Sequence, residues 1–307
     1  MTFTGTSIVE FFDRFPDERA CLAQVFRTKW GDHSPCPNCG VIGAWAIIRG
    51  TKKYNHRCRK QFSPMKGTAF YRTNLSLMAV FYALQLFANS SSGIRSTFIR
   101  KQLGIGLRAA HRLCNQVRLH IAAYDRAQQL GGPGKTVSVD ELYLRHSVNR
   151  RQKRHDGAIV LGFACEGKVL CGIVPDRKRA TLHRHIRRHV RPGSSVITDD
   201  WLGYKKLEQV GYHHISVNHS LGYFFDEFGR STNEIETFWA SMRRSLRLYH
   251  QTADHNLWRF LAEIEFRYNH RFSKVSPFDI LISHWPDLES FDRGALQQRF
   301  DWRVLSL

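Results

Sequence analysis

Apolar residues recur along this chain with two different periods, and the change from one to the other divides it. Bulky apolar residues set among charges (Phe11, Phe12, Phe15, Leu22, Phe26, Trp30) predict a helical segment over 6–30, with Asp17 as a cap after Pro16. Trp45-Ala-Ile-Ile, then Lys52, Lys53 and Tyr54, alternate enough for short strands. Over 76–88, Leu77, Val80, Phe81, Leu84 and Phe87 form a helical stripe that Ser90-Ser-Ser-Gly93 ends. Ile94 to Leu103, Gly104-Ile-Gly106 and Leu107 to Tyr124 then read as helix, tight turn and second helix. The polar face of that second helix, with Arg108, His111, Arg112, Gln116 and Arg118, would grip DNA. An ordinary helical hairpin with a solvated basic face is the competing reading.

Gly131-Gly-Pro-Gly134 is the clearest linker, and beyond it the period falls to two. Strands are predicted over 136–144, 157–165 and 168–174, the last two joined by Glu166-Gly167 as a hairpin turn. Thr181 to Val190 reads as a short basic helix, Ser194 to Thr198 as a buried-type strand, Leu202 to Gln209 as a helix and His214 to Val217 as a strand. Antiparallel strands followed by strands alternating with helices make a mixed α/β layer, in the order of a ribonuclease-H-like sheet. Within residues 231–244, Ile235, Phe238, Trp239, Met242 and Leu246 form one apolar stripe, with Glu236 and Arg243 on a neighbouring face. His255 to His270 is a further amphipathic helix, and Phe278 to Trp285 begins a tail that wraps either the core or an oligomer partner. The expected organisation is an N-terminal helix with a ribbon over 1–72, a helical region over 73–130, the α/β domain over 135–275 and a tail over 276–307.

Charge narrows the partners. Lys and Arg number 46 against 26 acidic residues, a net charge of +20, and a surface this basic collects polyanions, above all nucleic acid. There is no apolar run of membrane-spanning length and no leader-like N-terminus, so a cytoplasmic protein without membrane attachment is expected. Seven scattered cysteines argue for reduced thiols, with one metal site among them, over a disulfide framework.

That metal site begins at Cys36-Pro-Asn-Cys39-Gly, where two thiolates on a tight turn can share a tetrahedral Zn²⁺ ion. The partner pair is expected 15–20 residues on, and there stands Cys58, with asparagine at position 55 where a second CxxC would start. His56 is close enough to serve as the missing ligand, and His33 is another choice. The competing reading is a ribbon that has lost its metal and is held by Trp45, Tyr54 and Phe62. A second constellation is carboxylic: Asp140 in the first strand of the sheet, Asp199 at the end of a later one, and Glu236 from the helix that follows. Three carboxylates brought together repel unless cations lie among them, and two Mg²⁺ ions about 4 Å apart are the natural occupants. Asp140 would bridge both ions, with Asp199 and Glu236 each on one. Against this, Asp140 could be a strand-end turn residue, Asp199-Asp200 a helix cap, and Asn233 with Glu236 a capping box.

These residues carry a resemblance to transposases of the bacterial insertion-sequence 1595 family. Cys36-Pro-Asn-Cys39 with Cys58-Arg-Lys-Gln-Phe-Ser and Gly67-Thr-Ala-Phe is similar to that family's N-terminal zinc ribbon. Val139-Asp140-Glu141, Thr198-Asp199 with Trp201 and Tyr204, Val217-Asn-His219-Ser220, Thr232-Asn233-Glu-Ile235-Glu236-Thr-Phe-Trp239, Arg243 and Arg267-Tyr-Asn269-His270-Arg271 are similar to its core. The resemblance implies a ribonuclease-H-like domain, Mg²⁺ dependence, and cleavage and strand transfer at insertion-element ends. It implies double-stranded DNA partners (terminal inverted repeats and target), a homo-oligomer assembled on them, and a nucleoid-associated bacterial protein. Members often have asparagine as the third catalytic letter, which makes Asn233 a rival to Glu236; a carboxylate neutralises Mg²⁺ and an amide does not, which favours Glu236. Arg243 would contact a phosphate near the cut, and His219 would orient that phosphate or make a structural hydrogen bond. Arg151, Lys153 and Arg154 of the basic loop, and Arg244, are further DNA contacts. Two other classes compete: a domesticated, non-catalytic DNA-binding protein, and a nuclease that cuts without strand transfer.

Overall fold

The computed structural model describes residues 6–31, 34–124, 127–145, 157–217, 232–249, 252–289 and 293–305. In chain order the helices and strands are α1 (Ile8–Arg14), α2 (Glu18–Trp30), β1 (Trp45–Ile47), β2 (Tyr54–His56), β3 (Gln61–Phe62), α3 (Leu77–Asn89), α4 (Ser96–Leu103) and α5 (Leu107–Ala123). There follow β4 (Thr136–Arg145), β5 (Gly157–Cys165), β6 (Lys168–Val174), α6 (Arg179–His189), β7 (Ser195–Asp199), β8 (His213–Val217), α7 (Asn233–Leu248), α8 (Leu257–His270), α9 (Pro277–Ile282) and α10 (Arg293–Gln298). They divide into two compact units, residues 1–124 with 270–293 and residues 125–269 with 294–307.

In the first unit the helical segment expected over 6–30 is broken in two. Pro16 lacks an N–H and disfavours helical backbone at the residue before it, so α1 ends at Arg14 and Phe15 is its cap. Asp17 then caps α2, its Oδ1 accepting from the Ala20 N–H at 2.8 Å. Strands β1, β2 and β3 form an antiparallel ribbon. Phe26 of α2 stacks on Tyr54 at 4.4 Å, and Trp45 meets Phe62 edge-on at 4.7 Å. The turn between α4 and α5 uses Gly104 in the left-handed region (φ 62°), where a side chain would be strained. Buried Leu77, Phe81 and Leu84 of α3 and Leu113, Val117 and Ile121 of α5 supply apolar stripes at helical spacing. From the tail, Trp285 stacks on Phe81 at 5.5 Å, and the Leu281 carbonyl accepts from His120 Nε2 at 2.9 Å.

The second unit is built on a mixed five-stranded sheet in the order β6-β5-β4-β7-β8. Strands β4, β5 and β6 run antiparallel, whereas β7 lies parallel to both β4 and β8. Glu166 and Gly167, both at positive φ, turn β5 into β6. One face of the sheet carries a core of Val137, Val139, Phe163, Leu182, Ile186 and Trp302, among others. The helix expected over 202–209 is instead two short 3₁₀ turns, Leu202–Tyr204 and Leu207–Val210, separated by Lys206 at φ 73°. The opposite face receives α7, whose Ile235, Phe238, Trp239 and Met242 are all buried; Leu246, expected in the same stripe, is half-buried. Alternate residues of the edge strand β6 are occupied: Val169 N–H donates to Asn269 Oδ1 (2.7 Å), Cys171 N–H to Glu265 Oε2 (2.9 Å) and Ile173 N–H to the Phe300 carbonyl (2.8 Å). An edge so covered cannot template another strand.

Trp302 returns to this sheet because Gly172 makes room for it. A Cβ at Gly172 would lie 2.2 Å from the indole, and the ring also stacks with His189 at 4.3 Å and His185 at 5.0 Å. Gly172→Ala is therefore expected to destabilise this unit by about 1–3 kcal/mol through overpacking. Denaturant unfolding checks this, and combination with Trp302→Val should recover part of the loss because the two sites share one contact.

Candidate catalytic and metal-binding sites

The pairing of β4 with β7 decides where two aspartates stand. Thr136 is level with Ser195, Val137 with Val196 and Ser138 with Ile197, an offset of 195 − 136 = 59. Asp140 and Asp199 share the same offset, 199 − 140 = 59, and so continue that row on neighbouring strands. Period-two alternation puts both on the face occupied by Ser138 and Ile197.

On that face Asp140 meets α7. Trp239 Nε1–H donates to Asp140 Oδ2 at 2.9 Å, fixing one oxygen of the carboxylate. Gly162 on β5, directly opposite Asp140, makes the approach possible, since a Cβ there would lie 2.5 Å from the Trp239 ring. Trp239 was legible in sequence only as part of an apolar stripe, and its role as a donor was not. A glycine inside a strand was the available signal of close approach.

Glu236 projects from the start of the same helix and is exposed. Thr232, not Asn233, is the N-cap residue, and it makes no side-chain cap hydrogen bond. Its hydroxyl donates to Glu236 Oε1 at 2.6 Å instead, so the Asn-x-x-Glu capping box is not the arrangement adopted. Asn233 is the first helical residue, exposed, one turn before Glu236; Arg243 and Arg244 are exposed two turns further on. Burial raises the Asp140 carboxyl above the ordinary carboxylate range, hydrogen bonds from the Glu141 backbone and Trp239 work against that, and the charges of Asp199 and Glu236 push it further up. These are like charges close enough to feel one another, which is the situation a divalent cation relieves. The carboxylate oxygens are spread more widely than the ligands of a single-ion cage. Among the described residues, one group of three or more such ligands lies wholly within 4.8 Å, and it is elsewhere.

On the opposite face, the Glu141 side chain is fully buried against Arg177, with Nε 3.4 Å from Oε1. Burial raises its carboxyl to about 7 despite that guanidinium. The buried Tyr204 hydroxyl lies beside it, its ionisation pushed well up by burial and then by the Glu141, Asp140 and Asp199 charges.

The tighter group is Cys36, Cys39, His56 and Cys58 in the ribbon, whose ligand atoms all lie within 4.8 Å of one another. Cys36 and Cys58 sulfurs are 3.7 Å apart, Cys39 Sγ is 3.5 Å and Cys58 Sγ 3.2 Å from His56 Nδ1. Tetrahedral thiolate ligation at about 2.3 Å requires sulfurs roughly 3.8 Å apart. Strand pairing of β1 with β2 brings His56 there, opposite Trp45. The histidine thus occupies the corner that a second CxxC would have filled. His33 lies outside the described residues.

The expected DNA-contacting residues fare unequally. Arg108 and Arg112, one turn apart on α5, are exposed. Arg118 is a correction: it is buried at 5 % exposure with its guanidinium 5.5 Å from the Phe87 ring centroid. Six residues of helix turn a side chain by roughly 240°, which carries Arg118 off the face of Arg112 and into the helical packing. His219, Arg151, Lys153 and Arg154 lie outside the described residues. Read in sequence only as a short basic helix, α6 leaves Arg184, Arg187 and Arg188 exposed opposite its buried Leu182 and Ile186.

Comparison with known proteins bears on the second unit. Residues 129–269 match the family model of the ISXO2-like transposase domain. An uncharacterized transposase-like protein of Haemophilus influenzae is 33 % identical over 102 residues, which cover 33 % of this chain and 81 % of that protein.

The His56 hydrogen bond, with smaller help from Lys60 and Asn38, lowers the Cys58 thiol to about 6. A lowered thiol pKa means thiolate at neutrality, so in protein kept in chelator Cys58 should be alkylated by iodoacetamide with half-maximal rate near pH 6, against about 8.5 for an unperturbed cysteine. A pH series read by peptide mass spectrometry checks it.

Proposed function

The chain belongs to the ISXO2-like, or insertion-sequence 1595, transposase family, and from that premise we propose that it cuts and joins DNA at the ends of its insertion element. The observation that supports this reading is the shared offset of 59, by which Asp140 and Asp199 stand two residues beyond the paired Ser138 and Ile197, with the Asp199 and Glu236 charges felt at Asp140. The strand order, three antiparallel strands continued by two parallel ones, supports a ribonuclease-H-like assignment for the sheet.

In this reading Asp140, Asp199 and Glu236 hold Mg²⁺. The bound metal supplies Lewis-acid activation of the attacking oxygen and neutralises charge on the leaving one. Trp239 keeps Asp140 in a single orientation through the N–H donated to Oδ2. Thr232 does the same for Glu236. In the first step a water oxygen bonds to phosphorus and the bond to the 3′ oxygen breaks, leaving a 3′-hydroxyl on the element. In the second, that hydroxyl attacks a target phosphodiester and the target's own 3′ oxygen departs, so the count of phosphodiester bonds is unchanged. Arg243 would hold a phosphate through its two-pronged guanidinium, and Arg244, Arg108 and Arg112 would bind backbone phosphates. Glu236 is preferred to Asn233 as the third ligand because its charge reaches Asp140 and because a carboxylate offsets the cation. A basic chain of +20 favours duplex DNA as the partner, and joining two ends calls for at least two copies on it.

The test is an Mg²⁺-dependent cleavage and strand-transfer assay on the element's own terminal repeats. Asp140→Ala, Asp199→Ala and Glu236→Gln should each lose roughly a thousandfold or more, several kcal/mol of transition-state stabilisation, while still binding the ends. Asn233→Ala should lose far less than Glu236→Gln. Wild type that binds ends yet neither nicks nor joins them would support the non-catalytic reading, and nicking without joining the nuclease one.

Cys36, Cys39, His56 and Cys58 are proposed to hold one structural Zn²⁺, because the four donors already stand at tetrahedral ligand separations. Elemental analysis should find about one zinc per chain. Cys36→Ser or His56→Ala should lose it and expose the ribbon to proteolysis. Full occupancy in His56→Ala would remove the histidine from the ligand set.

A further inference from the structure

The structure holds an aromatic side chain out toward solvent, beside Asp199, by means that the core does not need. Trp201 is 40 % exposed, and Leu202 and Tyr143 near it are 60 % and 53 % exposed. Yet Trp201 is fixed at several points. Its backbone N–H donates to Asp199 Oδ1 at 3.1 Å. Its indole Nε1–H donates to the Arg177 carbonyl at 3.3 Å. The Arg177 guanidinium lies 4.2 Å from the ring centroid. Behind them Gly203 leaves no slack, for a Cβ there would lie 2.8 Å from the Arg177 carbonyl, from Leu182 and from Trp201 Nε1.

Arg177 is anchored in turn. It pairs with the fully buried Glu141 side chain at 3.4 Å, and its Nη1–H reaches the Tyr143 hydroxyl at 3.5 Å. A buried carboxylate, a guanidinium and an indole thus form one rigid stack that ends in an exposed aromatic ring. A surface Trp normally loses its freedom only where packing compensates. Here the ring is ordered and remains open. The ligand that suits such a surface is flat and π-faced, with negative charge within reach of the guanidinium.

We propose that Trp201, backed by Arg177, is a stacking platform for one nucleobase swung out of the duplex beside the phosphodiester being processed. This rests on the reading of Asp140, Asp199 and Glu236 as the processing centre, since the hydrogen bond to Asp199 is what ties the platform to it. Stacking on an aromatic side chain tolerates any base, so Trp201 would favour the unpaired state of a position without reading its identity. Opening the last pair costs least where it is already mismatched.

The experiment follows cleavage and joining at saturating DNA with Mg²⁺, on ends whose base pair next to the cut is either matched or mismatched. Trp201→Ala should lose roughly 10- to 100-fold on the matched end, the factor of one base–aromatic stack. It should recover most of that on the mismatched end, and Trp201→Phe should lose only about two- to threefold on either. Equal loss by Trp201→Ala on both ends would mean that the ring merely supports the Asp199 turn, and unchanged activity would mean that it does neither. Both overturn the proposal. A second measurement needs no turnover: 2-aminopurine at the flanking position of the mismatched end, which stays unpaired with either protein, in a complex formed without Mg²⁺, should be quenched by wild type and by Asp140→Asn but brighten with Trp201→Ala. Absence of that difference overturns the platform. Inactivity of wild type on every end, with the quenching intact, would instead count against the catalytic reading alone.

Discussion

Parallel pairing of β4 with β7 is the constraint on which the second unit depends. Strands that run the same way cannot be joined by a tight turn, so the chain must leave through the β5–β6 hairpin, cross by α6 and return. That route separates Asp140 from Asp199 by 59 residues and still places each two residues beyond the paired Ser138 and Ile197. A slip of one residue in β7 would turn Asp199 to the other face, among the side chains around Val137 and Tyr204. The core there is what forbids the slip. Apolar burial on one face therefore fixes the charge geometry on the other.

The sheet's two faces divide the work accordingly. Beneath Val137, Val139 and Phe163 lie α6 and Trp302, while α7 brings Ile235 and Trp239 against Gly162 on the side of Asp140. Each large indole is admitted by a glycine on the strand it covers, Gly162 for Trp239 and Gly172 for Trp302. Adjacent pairs of the β5–β6 ladder, Gly162 with Cys171 and Leu161 with Gly172, thus open on opposite faces.

Much of this was legible along the chain, because period-two alternation and the Gly131–Gly134 break are local signals. The hairpin at Glu166-Gly167, the strand at 195–199 and the apolar stripe of α7 follow from neighbours a few residues apart. So does the nearness of His56, two residues from Cys58, to the CxxC thiols. What spacing could not give is direction in space. Arg118 shares a helix with Arg108 and Arg112 but points into the packing against Phe87. Trp239 reads as one more apolar position, although its polar edge holds Asp140. Arg177 carries no motif at all, and only the fold brings it under Trp201 and onto Glu141. The 202–209 helix failed for a local reason, a left-handed backbone at Lys206 that no residue type there announced.

Both units are discontinuous in sequence, and Trp302 makes that consequential. The core of the sheet contains a ring that lies 130 residues beyond the glycine that receives it, 302 − 172 = 130. Translation must therefore run past the ribbon, the helical region, the sheet and α7 before that core is filled. Until then β6 lacks its Phe300 partner and the notch at Gly172 stands open. A nascent chain stalled before Trp302 would carry Asp140, Asp199 and Glu236 around a sheet whose core is still unfilled.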